Sequence, residues 1–387
     1  MTDLLLENLD VKNFRTFEHL QIERLGRVNL ITGKNNVGKS SLLEALWLYA
    51  RGGTADAIRD LLIYRDEVAT QQLLSQRGRP VLSQIPTSDD ETLESVKYLF
   101  HDYRITSVPP PPVYVGPIEV PHKRVTARAK RSVRIEVDWY IVQEAEDEDT
   151  PRRFVKVDAQ KRLQFEDAAL YFVVTSHAGR MRFKLDRIFN RLGTPSSINE
   201  FPLQFVKTDG LSAKDVSALW DDIQLTDAEE AVLEAVRLIV PGIERVSVRG
   251  EQAEQRKPIP IVRVKGQDEP IPLRVFGDGL SRLFGLTLAL VNAKGGLLLV
   301  DEIENGIHYS VFPHLWHFIF QAATRFNVQV FATTHSLDCV RSFQKAAKES
   351  PEDGILVRLK ERRGVVAAIL LTEDELGLAT RDDVEVR

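Results

Sequence analysis

Three short, mostly apolar runs stand out in the chain because each is followed directly by glycine or polar residues. They lie at 28–31, 297–300 and 328–332. Short apolar runs without alternation are typical of strands that are buried on both faces of a sheet. The stretch at 41–48 instead repeats apolar residues at helical spacing. Strand, loop and helix in this order predict an α/β protein with a buried sheet.

Alternation of polar and apolar residues dominates the middle of the chain. It is clearest at 132–140 and 180–185 and predicts half-buried strands, so we expect antiparallel β-structure over 113–187. Ser212 and Thr226 are each followed three residues later by an acid, a pattern that predicts helix starts within 210–240. The other expected elements are strands at 4–12, 19–24, 355–359 and 365–370, and helices at 54–76 and 92–103.

Composition narrows the class of protein. The chain has 387 residues, enough for two domains or for one large domain with an insertion. Its net charge of −5 produces no general attraction to nucleic acid, so such binding would need a local basic patch. Cys339 is the only cysteine, which excludes an intrachain disulfide framework. No apolar run reaches membrane-spanning length and the start has no basic segment, so we expect a cytoplasmic protein without membrane contact.

The segment between the first apolar run and its helix has the form G-x-x-x-x-G-K-S, the P-loop pattern. Its glycines let successive backbone N–H groups point at phosphate oxygens, and the following helix adds its positive N-terminal end. Lys39 would reach the β- and γ-phosphates, and the Ser40 hydroxyl would bind Mg²⁺. The expected nucleotide-binding residues are Gly33, Asn35, Asn36, Val37, Gly38, Lys39, Ser40 and Ser41.

Two further strand ends carry candidate chemistry. Asp301 and Glu302 follow the run at 297–300, which is the Walker B form. Asp301 would join the Mg²⁺ shell, and Glu302 would polarise the attacking water as the catalytic base. His335 follows the third run and would sense the γ-phosphate, because ligands bind at the carboxyl edge of such sheets. A surface acidic pair and a surface histidine are the alternatives when these motifs are taken alone.

A glycine-rich turn, Gly277-Asp278-Gly279, opens another apolar helix upstream of Walker B. Alone it indicates only a turn. Together with Asn13-Phe14-Arg15, the P-loop, 301–308 and 333–336, it resembles the ABC-type ATPases of the RecF/SMC/OLD class. The Asn-Asn of the P-loop and the Glu-Asn-Gly-Ile-His after Walker B resemble OLD-type ATPases more than transporters. The likeness is strong over 1–50 and 271–387 and loose over 51–270.

The resemblance implies a P-loop NTPase with an ABC-type head of mixed sheet, an antiparallel β lobe and an inserted α/β region. It divides the chain into a head, 1–50 with 271–387, and an insertion, 51–270. It implies ATP and Mg²⁺ as cofactors, and a homodimer or an assembly of such dimers. Gly277, Asp278 and Gly279 of one copy would then cap the ATP of the other. Asn305 and Gly306 would form the D-loop, and Arg15 would join the nucleotide-binding residues. Gly277 stands where the family signature has serine.

Other nucleotide-dependent classes fit less well. A guanine reader would need Asn or Thr before Lys207-Thr208-Asp209, where Val206 stands. Transporter ATPases place the signature much nearer the P-loop. The 52 residues after His335 leave no room for the Toprim nuclease of OLD proteins, so any nuclease or toxin would be a separate subunit.

Two functions remain open. One is the ATPase component of a bacterial anti-phage defence system that regulates a separate effector. The other is a RecF-like or SMC-like repair ATPase that binds DNA directly. The second would use a basic stretch whose other interpretation is a charged strand edge. That stretch contains Lys123, Arg124, Arg128, Lys130, Arg131 and Arg134.

Overall fold

The computed structural model describes most of the chain, and the candidate nucleotide-binding, catalytic, signature and D-loop residues named above all lie within the described part. The described residues are 4–65, 67, 71–74, 80–83, 89–119, 131–143, 153–177, 179–185, 201–249, 258–350 and 353–371. Four of the basic candidates, Lys123, Arg124, Arg128 and Lys130, lie outside these ranges.

Helices and strands alternate in both terminal thirds, while strands dominate the centre. The helices are α1 (Lys39–Ala50), α2 (Ala55–Tyr64), α3 (Asp89–Val96), α4 (Ala213–Asp221), α5 (Asp227–Arg237), α6 (Asp278–Asn292), α7 (Phe312–Arg325) and α8 (Leu337–Ala347). The strands are β1 (Leu9–Phe14), β2 (Phe17–Ile22), β3 (Val28–Thr32), β4 (Gln71–Leu74), β5 (Pro80–Ser83), β6 (Val113–Gly116), β7 (Val133–Gln143), β8 (Arg153–Lys156), β9 (Ala169–Ser176), β10 (Gly179–Lys184), β11 (Leu203–Val206), β12 (Ile243–Arg249), β13 (Ile259–Val264), β14 (Ile271–Pro272), β15 (Leu297–Val300), β16 (Gln329–Thr333), β17 (Gly354–Arg362) and β18 (Val365–Leu371).

A six-stranded sheet in the order β11-β15-β16-β3-β17-β18 carries the site. Its first five strands are parallel, and β18 closes the edge as an antiparallel hairpin with β17. The three apolar runs therefore form neighbouring strands, β15, β16 and β3. Parallel strands present their carboxyl ends at one edge, so the motifs that follow these strands meet there. The predicted α/β class with a mixed sheet is confirmed.

An antiparallel sheet in the order β10-β9-β7-β6-β1-β2, with β8 paired to β7, lies beside the first. It confirms the alternation seen over 113–187. β2 contacts β18, so the two sheets meet along this edge. β6 pairs with β1, and β11 pairs with β15, so the 51–270 segment contributes strands to both sheets. The division into head and insertion stays a prediction.

Strand periodicity divides the core into two clusters. In β3, Leu30 faces one cluster and its neighbour Ile31 faces the other; in β15, Leu298 and Leu299 divide in the same way. Helices α5 to α8 supply buried residues to the first cluster, whereas α1 and the antiparallel sheet supply the second. The sheet is therefore covered on both faces, which explains its uninterrupted apolar runs.

Three local expectations need correction. The α-helix expected over 92–103 ends at Val96, and 3₁₀ turns at Lys97–Leu99 and His101–Tyr103 follow it. The helix expected over 54–76 ends at Tyr64, and β4 occupies part of its second half. The side chain of the next residue, Arg65, turns back to pair with Glu44 of α1. At α4 the full reciprocal capping box forms between Ser212 and Asp215. At α5 Thr226 caps the helix through the N–H of Ala228, while the Glu229 carboxylate bonds to Leu225 instead.

No helix in the described part of the chain is long and apolar enough to cross a membrane. Cys339, the single cysteine, lies buried in α8. Desolvation by this burial raises the pKa of its thiol to about 12, so the thiol stays protonated and unreactive at neutral pH.

Candidate nucleotide-binding site

The P-loop joins β3 to α1 as the motif requires. Gly38 adopts a φ of 102°, and a Cβ there would lie 2.5 Å from the Thr16 hydroxyl oxygen, so only glycine fits. Asn36 also lies in the left-handed region, at φ 63°, which asparagine tolerates better than most residues. The backbone thus curls tightly between the strand and the helix N-terminus.

Lys39 is buried at the start of α1 and its ammonium group lies within the curl of the loop. It donates to the carbonyl oxygens of Gly33, at 2.8 Å, and Lys34, at 3.1 Å. Desolvation lowers the pKa of Lys39, and the nearby acids Glu302 and Asp301 oppose this shift. The positive charge therefore sits between the loop and the carboxylates at the end of β15.

Asp301 is held from two sides at the end of β15. The Ser40 hydroxyl donates to its Oδ2 at 2.9 Å, and the Thr333 hydroxyl of β16 donates to its Oδ1 at 2.6 Å. Asp301 is only 8% exposed, so few orientations other than this one are available to its carboxylate. The P-loop and Walker B motifs are thereby in direct contact.

Glu302 has the left-handed φ of 49°, a strained conformation for a residue with a side chain. Its backbone N–H donates to the Thr333 hydroxyl at 2.8 Å, the same oxygen that donates to Asp301. One hydroxyl can donate once and accept twice, so Thr333 serves both neighbours. It thereby fixes the two acids in different directions.

His335 follows β16 and faces two carboxylates. Its Nδ1 lies 3.0 Å from Glu304 Oε1 and 3.7 Å from Glu302 Oε1. Glu304 Oε1 also accepts the backbone N–H of His335 at 2.8 Å. Glu304 is 9% exposed in its side chain, so it fixes His335 from within the fold.

These groups line one cleft of about 640 Å³. It brings together most of the predicted P-loop residues, both Walker B acids and His335. Gly33 and Val37 do not line it. The Gly33 carbonyl oxygen accepts a hydrogen bond from the Lys39 ammonium, and Val37 is buried. The lining residues are Arg15, Thr16, Asn35, Asn36, Gly38, Lys39, Ser40, Ser41, Arg65, Glu67, Tyr98, Tyr103, Asp301, Glu302 and His335.

Arg15 reaches the cleft, but its guanidinium is already engaged. It forms a two-point contact with Glu67, with Nη2 3.0 Å from Oε2, and its Nε lies 2.8 Å from Glu44 Oε2. Glu44 also pairs with Arg65. Arg15 is only 2% exposed. Its assignment as a nucleotide-binding residue stays a prediction, and the contacts observed are those of a structural network.

The glycine-rich turn before α6 lies at a different cavity, of about 760 Å³, whose lining includes Asp278, Arg282, Asn305 and Gly306. A Cβ on Gly279 would lie 2.8 Å from the Gly306 carbonyl oxygen, so the turn packs on the predicted D-loop. Asp278 is about four-fifths exposed, 3.5 Å from Arg274. None of Gly277, Asp278 and Gly279 lines the P-loop cleft as described.

Two family models match the chain. One, "AAA ATPase domain", covers residues 5–69; the other, "AAA domain, putative AbiEii toxin, Type IV TA system", covers residues 164–339. An "ATP/GTP phosphatase" of Helicobacter pylori is 23% identical over 89% of this chain and 89% of its own length. The "DNA replication and repair protein RecF" of Nitrosococcus oceani is 38% identical over 47 residues, 12% of this chain and 13% of its own.

The chain is an ATPase, and it is similar to ATPases of the RecF-like class. The expected enzyme class and family resemblance are thereby confirmed. Among solved structures, the SMC head bound to the C-terminal winged helix of ScpA aligns with 96% of this ATPase and 99% of that chain. The two are 14% identical, with a TM-score of 0.45. A similarity this low does not identify a fold, which follows here from the strand order.

Three residues of this ATPase escaped sequence reasoning. Thr333 and Glu304 lie within the recognised motifs but had no predicted role. In the structure Thr333 holds Asp301 and Glu302, and Glu304 holds His335. Arg282 of α6 donates to the backbone oxygens of Lys207, at 2.7 Å, and of Asp301, at 3.2 Å. It therefore connects α6 to the ends of β11 and β15. Thr333 and Glu304 could have been found in the sequence, because each is a polar residue close behind an apolar run. Nothing in the sequence pattern pointed to Arg282.

The basic stretch is only partly described. Arg134 pairs with Glu136 at 2.8 Å on β7, and Arg131 lies over the ring of Phe201. These two contacts are those of a charged strand surface. The basic patch itself stays a prediction.

Proposed function

We propose that this ATPase binds ATP with Mg²⁺ in the P-loop cleft and hydrolyses it there. The observation that carries the proposal is the 2.9 Å hydrogen bond between the Ser40 hydroxyl and the Asp301 carboxylate. It joins the P-loop to β15 across 261 residues of sequence. Glu302 and His335 line the same cleft, so the groups that hydrolysis needs are neighbours.

The donor set suits Mg²⁺. This ion prefers oxygen ligands and is usually held by one or two protein oxygens together with substrate phosphates and water. Ser40 and Asp301 offer such oxygens side by side. The described residues contain no cluster of three or more His, Cys, Asp or Glu placed for a metal, so we expect the ion to bind with the nucleotide. When bound, Mg²⁺ would offset the negative charge that develops on the phosphates.

The protein's own groups would divide the remaining work. Lys39 would hold the β- and γ-phosphates from within the loop. Glu302, fixed by Thr333, would accept a proton from the attacking water. His335, fixed by Glu304, would hydrogen-bond the γ-phosphate. Positioning and charge are the main contributions that proteins make to phosphoryl transfer.

The second cavity supports a composite site. Gly277 and Asp278 are exposed and Gly279 packs on Gly306, and none of the three lines the P-loop cleft of their own chain as described. In a two-fold symmetric pair each turn would cap the ATP of the other copy. We propose a homodimer, alone or within a larger assembly, that ATP tightens.

We further propose that ATP turnover controls a separate effector, a nuclease or a toxin, in a bacterial defence system. The family model over 164–339 supports this role, because its description names a toxin and a toxin–antitoxin system. The matches to RecF favour a second candidate, direct binding of DNA in repair.

The enzymatic proposal is tested with purified protein and labelled ATP. Glu302→Gln should bind ATP but lower turnover by about 100-fold or more, since it removes the base and keeps the shape. Lys39→Ala should lose ATP binding itself. Glu230→Gln, an exposed acid on α5, is the matched control and should match wild type in both assays. Normal turnover in Glu302→Gln, or normal ATP affinity in Lys39→Ala, would contradict the assignment.

The two wider roles differ in their expected response to DNA. A RecF-like clamp should bind duplex DNA in an ATP-dependent manner, with an affinity that falls steeply as salt rises. An effector-controlling ATPase should show no ATP-dependent DNA binding by itself. ATP-dependent retention of DNA by the purified chain would favour the second candidate over the first.

A further inference from the structure

Beyond the P-loop, the cleft is lined by two tyrosine rings, Tyr98 and Tyr103. Neither belongs to a motif, and no phosphate chemistry needs an aromatic ring. A triphosphate on the P-loop is attached to a ribose and a base, which must lie elsewhere in the same cleft. Aromatic rings are the side chains on which bases of any sequence stack.

The segment that carries the tyrosines is fastened to the turn between β1 and β2, next to the P-loop. The N–H of Arg15 donates to the Leu99 carbonyl at 3.1 Å, and the N–H of Asp102 donates to the Arg15 carbonyl at 2.8 Å. The Asn13 side chain accepts from the N–H of His101 at 3.3 Å. The same turn packs on Gly38 through Thr16. The rings therefore have a defined position relative to the P-loop.

Tyr103 is held in a costly conformation. Asp102 and Tyr103 are consecutive residues with left-handed φ values of 55° and 57°, a conformation that aspartate tolerates but that a bulky tyrosine rarely adopts. Such strain persists only where the surrounding structure enforces it, and it is concentrated at ligand sites. Here the hydrogen bond from Asp102 to Arg15 enforces it. As a result a large aromatic ring lies in the cleft with 38% of its surface exposed.

The two rings cannot hold a base between them. Their centroids are 6.3 Å apart and their planes are inclined by 50°, so no parallel slot exists. Tyr98 is half-buried, and the Lys97 ammonium lies over its ring, 5.5 Å from the ring centroid. The Tyr98 ring packs beside that of Tyr103 at an angle, and Tyr103, the more exposed of the two, is the available platform.

The two acids near the tyrosine rings, Glu67 and Glu44, are already paired with arginines, so they are not free to hydrogen-bond the edge of a base. Glu67 uses both carboxylate oxygens on Arg15, and Glu44 binds Arg15 and Arg65. A stacking contact without hydrogen bonds to the base edge distinguishes large bases from small ones, but hardly adenine from guanine.

We propose that Tyr103, with Tyr98 packed beside it, is the stacking platform for the nucleotide base, and that the site accepts purine triphosphates with little discrimination between ATP and GTP. This inference rests on the proposed P-loop site and adds its base subsite.

The test compares ligands with and without a base. The probes are ATP, GTP, CTP and inorganic tripolyphosphate, each with Mg²⁺, and the readout is affinity by calorimetry. Tyr103→Leu keeps an apolar side chain and removes the ring; it should weaken ATP and GTP about 5- to 100-fold and leave tripolyphosphate unchanged. Tyr103→Phe should match wild type. Phe165→Leu, an equally exposed ring outside the cleft, is the control.

Wild type should bind ATP and GTP alike and CTP more weakly, and Tyr103→Leu should remove this difference. The inference is overturned if Tyr103→Leu leaves the ATP affinity unchanged, or weakens ATP and tripolyphosphate equally. Lys39→Ala tests the P-loop site separately from the base subsite, since it should abolish binding of both ATP and tripolyphosphate. If Lys39→Ala binds both normally, the P-loop site itself is wrong; if only the Tyr103 result fails, the base subsite alone is wrong. Thermal unfolding of each variant verifies the fold.

Discussion

The P-loop cleft and the cavity at the glycine-rich turn 277–279 differ in how many of their functional groups are already held in place by contacts within the same chain. In the cleft, Ser40, Asp301 and Thr333 are joined by direct hydrogen bonds, and Glu304 fixes His335. At the turn, a Cβ on Gly277 would meet no atom within 4 Å, and Asp278 is largely exposed. The P-loop cleft therefore has its functional groups in position, whereas the backbone at Gly277 has no neighbouring atoms in front of it.

This difference bears on mechanism. Catalytic groups that are already oriented cost no reorganisation when the reaction occurs. The Gly277 N–H donates to the Arg274 carbonyl, but the first turn of α6, like any helix N-terminus, carries further N–H groups that have no partner within the helix. A composite site would require this contrast. Each copy would provide a complete P-loop cleft, and the glycine-rich turn that caps the cleft would come from the other copy on assembly. The following changes test this contrast, from the largest expected effect to the smallest.

Gly279→Asp should lower ATP turnover by at least about 100-fold while ATP still binds, because the acid blocks approach to the other copy's phosphates. The new Cβ would also press on the Gly306 carbonyl, 2.8 Å away, so a single-variant loss is ambiguous. Mixing Gly279→Asp with Lys39→Ala removes the ambiguity. Heterodimers then contain one intact site, and turnover should return to about a quarter of wild type. Normal turnover in Gly279→Asp, or no recovery in the mixture, contradicts assembly across two copies.

Thr333→Val tests the preformed half. The substitution keeps the shape but leaves the Asp301 Oδ1 and the Glu302 N–H without their buried partner. We expect unfolding to become easier by about 1–3 kcal/mol and turnover to fall about 10-fold or more. Thr333→Ser retains the hydroxyl and should recover most of the activity. Denaturant titration and steady-state kinetics measure the two effects. Equal behaviour of the Val and Ser variants would show that the hydroxyl is not what fixes the acids.

Arg282→Met probes the connection between the two regions. Its guanidinium joins α6 to the Lys207 and Asp301 carbonyls, so removing it should loosen α6 without touching the phosphate site. We expect turnover to fall about 3- to 10-fold with ATP affinity unchanged, since charged hydrogen bonds each contribute about 1.5–3 kcal/mol. Arg282→Lys should recover little, because one ammonium cannot span both carbonyls. A change confined to ATP affinity would place Arg282 in the binding cleft instead.

Asp278→Asn should have the smallest effect. The exposed carboxylate beside Gly277 would face the phosphates of the other copy and repel them. Removing its charge should tighten ATP-dependent assembly about 2- to 5-fold at low salt, and less at high salt because exposed charges are screened. Glu230→Gln provides the control. Sedimentation at several salt concentrations measures assembly. Unchanged assembly at low salt would mean that Asp278 faces away from the phosphates.

Local sequence was sufficient for the P-loop, the Walker B strand and the strand before His335. In each of these a contiguous run of residues carries both the backbone requirement and the chemistry. Gly38 must be glycine because of its φ and the contact with Thr16, and Lys39 and Ser40 follow it at a fixed distance. Apolar runs predicted the buried strands because a sheet covered on both faces demands them. The alternation over 113–187 predicted the antiparallel sheet for the corresponding reason.

Tertiary structure alone decided which distant residues meet. β11, from the segment predicted as an insertion, pairs with β15, and no periodicity encodes that choice of neighbour. Thr333 holds Asp301 because β16 lies beside β15. Arg282 reaches the same aspartate because α6 packs against β11, the other neighbour of β15. Tyr103 enters the cleft through hydrogen bonds to a turn far earlier in the chain. Hydrophobic patterns specify which face of an element is buried, whereas the order of strands and the packing of loops follow from the lowest free energy of the whole chain.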